Sequence, residues 1–164
     1  MKLNTSKVTL SNPDKTRKIT IPKELTTELC EIIGILNGDG CLYKRKNRYE
    51  IYIYGDSNED IYYHKTKIKS LFKSVFNIEP RIQKIKNHNS IRSRIDSKAI
   101  FTFLNNSVGV AYGDKKERIR IPKKILKNKK FIYAYLRGLA DTDFYLKFKK
   151  KKRCKESKSL LSNY

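Results

Sequence analysis

The sequence predicts an α+β fold: a four-stranded antiparallel sheet with helices on one face, in the order helix, strand, strand, helix, strand, strand, helix. Three observations lead there. Apolar residues recur at helical spacing in stretches separated by pairs of short segments with strand alternation. Each strand pair turns on a polar cluster, Lys46-Asn47-Arg48 in one and Asn87-His88-Asn89 in the other. A short helical pattern also occurs twice, as Ile32-Ile33-Gly34-Ile35-Leu36-Asn37-Gly38-Asp39-Gly40 and as Leu136-Arg137-Gly138-Leu139-Ala140-Asp141-Thr142-Asp143-Phe144.

Residues 1–18 are polar and read as a flexible N-terminal segment. After Pro22, Thr26 and Thr27 are N-cap candidates, and Leu29, Ile32, Ile33 and Leu36 follow at i, i+3, i+4 and i+7, so a helix is expected over 28–38. Gly38 and Gly40 end it. Residues 41–46 and 49–54 read as the first strand pair; in the second of these, Ile51 and Ile53 alternate with Glu50, Tyr52 and Tyr54. A helix over 58–76 carries Ile61, Ile68, Leu71, Phe72 and Val75. The second strand pair lies near 80–86 and 91–96, with Ile91 and Ile95 on one side and Arg92, Arg94 and Asp96 on the other. A helix over 97–106 and a short one over 123–127 precede the second copy of the pattern, expected as a helix over 130–141. Residues 144–148 read as the start of another strand.

The chain has 164 residues, with 38 Lys and Arg against 16 Asp and Glu, a formal charge of +22. Such an excess points to an anionic polymer, because neutralising phosphates releases condensed counterions. No apolar run approaches the ~18 residues of a membrane span, and no apolar stretch before residue 20 suits a signal peptide, so a cytoplasmic, membrane-free protein is expected. Cys30, Cys41 and Cys154 lack metal-ligand spacing and read as reduced thiols.

Both copies of the repeat place small residues every fourth position: Cys30, Gly34 and Gly38 in one, Ala134, Gly138 and Thr142 in the other. That spacing lines one helix face and lets two backbones approach closely, so Gly34, Gly38, Ala134 and Gly138 form the expected helix–helix interface. Such packing would bring Asp39 and Asp143 together. Paired carboxylates at a helix junction in a very basic chain suggest metal-dependent chemistry on a phosphate backbone. Strand alternation after Asp39 places Tyr43, Arg45 and Asn47 on one face, and Arg92 and Arg94 extend it as a groove-reading surface. The third strand leaves two options, with Arg81 and Gln83 on one parity and Lys84 and Lys86 on the other.

The doubled pattern resembles the LAGLIDADG (DOD-type) motif of homing endonucleases in its two-motif form. Further landmarks resemble the family in order: Ile19-Thr20-Ile21-Pro22, Ser97-Lys98, Gly113-Asp114-Lys115 and Ile119-Arg120-Ile121-Pro122. The similarity covers residues 19 to 148. It implies one αββαββα unit over 19–127, the start of a second over 128–148, and a basic, disordered tail over 149–164. It also implies a site-specific DNA endonuclease of intron or intein homing that hydrolyses phosphodiesters with a divalent cation, Mg²⁺. Asp39 and Asp143 would each hold a cation, and Lys115 would be a basic catalytic residue near the scissile phosphate. Phe144 departs from the family's usual glycine. The family continues into a second sheet, so the chain reads as a truncated copy with impaired cleavage. Double-stranded DNA is the expected partner, with a weak homodimer as a further association. The alternative is a non-cleaving DNA- or RNA-binding protein of the same fold, a transcription regulator or an intron maturase.

Overall fold

Thr26 opens the first long helix by accepting the Leu29 N–H on its side chain, and the helix, α2, runs Thr27–Asn37 behind a shorter α1 at Asn12–Thr16. The computed structural model describes residues 1–86, 88–113 and 118–143. After α2 come β1 (Gly40–Arg45) and β2 (Arg48–Asp56). A composite helix follows, made of α3 (Ile61–Tyr63), a π-helical turn (His64–Ile68) and α4 (Lys69–Phe76). Asn77 ends it in the left-handed conformation at φ 54°, where asparagine is tolerated better than most residues. Strands β3 (Arg81–Lys84) and β4 (Ser90–Asp96) are next. Then α5 (Lys98–Thr102) runs into a second π-helical turn (Phe103–Val108). A 3₁₀ turn at Ile125–Lys127 leads to α6 (Lys129–Asp143).

The sheet has the order β1-β2-β4-β3, antiparallel throughout. The expected α+β class and helix–strand order are therefore present. Register settles the face of every strand residue. Arg81 lies opposite Arg94 and Gln83 opposite Arg92, so the third strand turns Arg81 and Gln83, not Lys84, toward the open face. The other face is buried through Leu42, Ile51, Ile53, Ile91 and Ile95.

Helices cover that face. Every residue of α2 from Leu29 to Asn37 is buried, as a helix packed on all sides requires. Phe72 and Phe76 of the composite helix and Phe103 continue the core, with Phe76 and Phe103 edge to face at 5.9 Å. Ala134 and Tyr135 of α6 belong to the same buried cluster.

The contact of α2 with α6 is reciprocal. A β-carbon at Gly34 would lie 2.1 Å from the Tyr135 carbonyl oxygen, and one at Gly138 would lie 2.2 Å from that of Glu31. Each glycine thus admits the carbonyl three residues before the glycine of the other helix. Asn37 donates to the Tyr135 hydroxyl at 3.0 Å across this interface. Glu31, buried on α2, takes Arg137 of α6 at 3.0 Å and Lys67 of the composite helix at 2.8 Å.

The expectation of a flexible segment over 1–18 is corrected. Leu3 is buried, and its N–H donates to the Lys23 carbonyl. Ser11 and Asp14 form a capping box on α1, with Pro13 in the first turn. Asp14 is wholly buried and accepts the Ala99 N–H at 3.1 Å, so one carboxylate binds α1 to the start of α5. Arg17 closes the junction by donating to the Asp96 carbonyl at 2.6 Å. Two other expectations change locally. The helices over 58–76 and 97–106 each contain a π-helical turn, and the short helix over 123–127 is a 3₁₀ turn.

Candidate nucleic-acid interface

The open face of the sheet is built from alternate residues of four strands. Strand β1 contributes Cys41, Tyr43 and Arg45, and β2 contributes Glu50, Tyr52 and Tyr54. Strand β4 contributes Arg92, Arg94 and Asp96, and β3 contributes Arg81 and Gln83. Each predicted contact residue on a strand, Tyr43, Arg45, Arg92 and Arg94, has the parity of this face. Asn47 sits at the β1–β2 hairpin tip beside Lys46, which adopts φ 51° to close the two-residue turn.

The two predicted arginines of β4 differ in state. Arg94 bonds Glu50 at 2.7 Å and Asp96 at 2.8 Å, and these acids hold its guanidinium above its usual range against the opposing effect of burial. Its Nε and Nη2 donors are thereby spent on the protein. Arg81 also meets Asp96, at 2.8 Å. Arg92 has no acid partner among the described residues. Its Nε donates to the Gln83 side-chain Oε1 at 3.1 Å, and it lies 5.0 Å from the centre of the Tyr52 ring. Its Nη donors remain for a ligand. Alternation treats both arginines alike; Asp96, two residues on in the same strand, and Glu50, brought in by strand pairing, separate them.

Asp39 follows the C-cap Gly38 of α2 and is half-exposed. Its carbonyl accepts the Tyr54 N–H at 3.1 Å, which fixes the end of α2 to the open-face strand β2. Asp39 lines an open concavity with Tyr54, Asp56, Asp60 and Asn89. The other two acids there have structural tasks. Asp56 accepts the Asn58 N–H and the Asn89 amide, and Asp60 accepts the Asp56 N–H at 2.7 Å. Among the described residues no three His, Cys, Asp or Glu side chains gather as a metal cage. Asp39 could give a hard cation one carboxylate, with its other ligands supplied from elsewhere.

Asp143 ends α6 as its last described residue, and its side chain lies outside the described part. Lys115, Phe144, the expected strand over 144–148 and the tail over 149–164 also lie outside it. Gly113, at the edge of that gap, donates its N–H to the Leu42 carbonyl of β1 at 3.0 Å. Cys30 is buried in the helix interface, where burial and the charge of Glu28 push its thiol up to about 12, so it stays protonated. No helix among the described residues is long and apolar enough to cross a membrane.

Comparison with solved structures finds distant similarities. A structure of I-DmoI in complex with DNA and Mn is similar with 23% identity and a TM-score of 0.48, over 71% of this chain and 61% of that one. Mesophilic variants of the homing endonuclease I-DmoI match with 24% identity and a TM-score of 0.48, over 71% of this chain and 60% of theirs. A variant of I-SmaMI matches at 18% identity and a TM-score of 0.35, over 51% of this chain and 31% of that one. The matched region thus spans about 60% of the length of the I-DmoI chains. No family model matches the sequence, and no curated protein matches it.

Proposed function

We propose that this protein is a LAGLIDADG-type homing endonuclease that binds duplex DNA on its open sheet and hydrolyses phosphodiesters with a divalent cation. One observation carries the reading: the glycine-packed helix α2 delivers Asp39 to the margin of an open face rich in Arg and Tyr. A scissile phosphate held at that margin lies next to a carboxylate, and the sheet supplies the surface that fixes its register.

Asp39 and Asp143 would each hold a divalent cation, and Mg²⁺ suits sites with few protein ligands. When bound, the cation offsets charge developing on the phosphate and lowers the pKa of an attacking water. The protein's own part is positional. Arg92, backed by Tyr52 and Gln83, and the exposed Tyr43 and Arg45 orient the duplex. The reciprocal glycine contact holds the two helix ends at a fixed separation, and Lys115 would stabilise charge near the phosphate. The described residues present one reading sheet, so the proposal includes half-site binding and slow nicking. A second sheet, from another copy or from added chain, would be needed for cutting both strands.

Incubating the protein with a random-site duplex library and Mg²⁺ tests this. Nicks at a recurring sequence are expected, lost on adding EDTA and lost in Asp39→Asn. Duplex binding with no cleavage at any metal concentration would move the protein to the non-cleaving reading. Efficient double-strand cutting by these residues alone would overturn the half-site proposal.

A further inference from the structure

The open sheet does not stop at the hairpin tip. There its surface turns into a concavity whose far wall is the N-terminal segment, through Ser11, Pro13 and Arg17. The near wall is Asn47, Arg48 and Lys98, and the floor is reached from the open face by Glu50, Arg94 and Asp96. The acids of this concavity are already committed. Glu50 is paired with Arg94, while Asp96 takes Arg81 and Arg94. Arg17 is committed as well, to Asp14 and to the Asp96 carbonyl.

Arg48 and Lys98 are different. Among the described residues neither forms an ion pair with an acid. Lys98 is steered rather than free: its ammonium lies 5.4 Å from the Tyr49 ring centre, and Lys44 approaches the same ring at 5.4 Å. Two uncompensated cations therefore stand in a concavity whose negative charge is internally neutralised, at the end of a surface read as a DNA platform. Charge complementarity and continuity with that platform favour one occupant.

We propose that this concavity binds the phosphate backbone of duplex DNA flanking the stretch read by the sheet, through Arg48 and Lys98 with Asn47 at its rim. The N-terminal segment, by folding back onto α5, forms the wall that makes a groove of what would otherwise be a strand end. This rests on the duplex-binding reading above and enlarges its footprint. Strand β2 has nine residues and is about 30 Å long, enough for about nine base pairs. Arg48 opens that strand and Lys98 follows β4, so the contact prolongs the sheet's footprint at its hairpin end.

The test compares the full chain with the double variant Arg48→Gln/Lys98→Gln on random-sequence duplexes of about 10 and about 18 base pairs, in metal-free buffer over a salt series. Lys65→Gln/Lys73→Gln, on the composite helix, removes equal charge elsewhere. Thermal melting of each variant checks that it is folded. On the longer duplex the slope of log K against log salt should fall by about 1.8 in Arg48→Gln/Lys98→Gln, at about 0.9 per lost phosphate contact. On the shorter duplex the slope should fall by less than on the longer one, and the control double should lose less on both. Equal slopes for variant and wild type on the longer duplex, or an equal loss in the control double, would overturn the flanking site and leave the sheet reading standing. Failure of wild type to bind either duplex would overturn both.

Discussion

Replacing Gly138 by alanine probes the helix pair at its tightest point. A β-carbon there would stand 2.2 Å from the backbone carbonyl of Glu31, and a β-carbon essentially never comes within 3.0 Å of such an atom. The helices must part by at least 0.8 Å, the difference of those two distances. At Gly34 the figure is 0.9 Å, from 2.1 Å to the Tyr135 carbonyl. Alanine gains about 1 kcal/mol over glycine in helix propensity, so propensity alone predicts a more stable protein. Against it stands overpacking, typically about 1–3 kcal/mol, here against backbone that cannot rotate away. Parting the helices also loosens the buried Ala134 and Tyr135. We expect Gly138→Ala to lose about 1–2 kcal/mol net, and Gly138→Leu to lose more. Urea denaturation followed by circular dichroism gives the loss as a lower midpoint at constant m. Both glycines face one gap, and a separation made for one side chain serves the other. The double variant Gly34→Ala/Gly138→Ala should therefore lose less than the sum of the singles, a coupling of at least about 0.5 kcal/mol. A stabilised Gly138→Ala, or strict additivity, would refute the reasoning.

Arg92→Ala should weaken duplex binding without changing the melting temperature, whereas Arg94→Ala should lower the melting temperature by leaving Glu50 unpaired; fluorescence anisotropy and calorimetry on both variants separate the two effects. His64 is buried, bonded to Ser93 Oγ at 2.8 Å, and burial holds its imidazole below the ordinary 6.5 although Asp60 and the Tyr54 carbonyl oppose this. The unfolded chain takes the proton first, so stability is full above pH 6.5 and falls as pH drops through 6.5 toward the folded value; His64→Gln should flatten this part of a denaturation-midpoint profile between pH 7.5 and 5. Asp14→Ala orphans the buried Ala99 N–H and should cost about 1–3 kcal/mol in urea denaturation, against no change if the N-terminal segment is loosely attached.

The sequence made the helix pair readable because its signal is local: a glycine at the same offset in two apolar repeats. The sheet was readable for a similar reason, since Ile51 and Ile53 alternate with Glu50, Tyr52 and Tyr54. The fate of Arg94 was readable only in part: Asp96 is two residues away, but Glu50 lies far off in sequence and reaches it through the register that pairs Tyr52 with Arg94. The N-terminal segment carried an overlooked local signal, Ser11-Asn12-Pro13-Asp14, a capping box with proline in the first turn. What anchors it, the acceptance of the Ala99 N–H by Asp14, joins residues 85 positions apart and leaves no local trace. The π-helical turns at His64–Ile68 and Phe103–Val108 also lack a compositional mark, since apolar spacing fits either winding there.

The α2–α6 contact has a consequence for the birth of the molecule. Its bonds join residues about a hundred positions apart, with Asn37 meeting Tyr135 over 98 and Glu31 meeting Arg137 over 106. At roughly 5–20 residues per second, a ribosome releases α2 about 5–20 seconds before its partner helix exists. Throughout that interval a helix destined to be buried from Leu29 to Asn37 shows apolar side chains to solvent. The two hairpins can pair meanwhile, but the core cannot close. Aggregation and chaperone capture compete with folding at this stage, and expression at lower temperature, which weakens hydrophobic association, should favour the folded product.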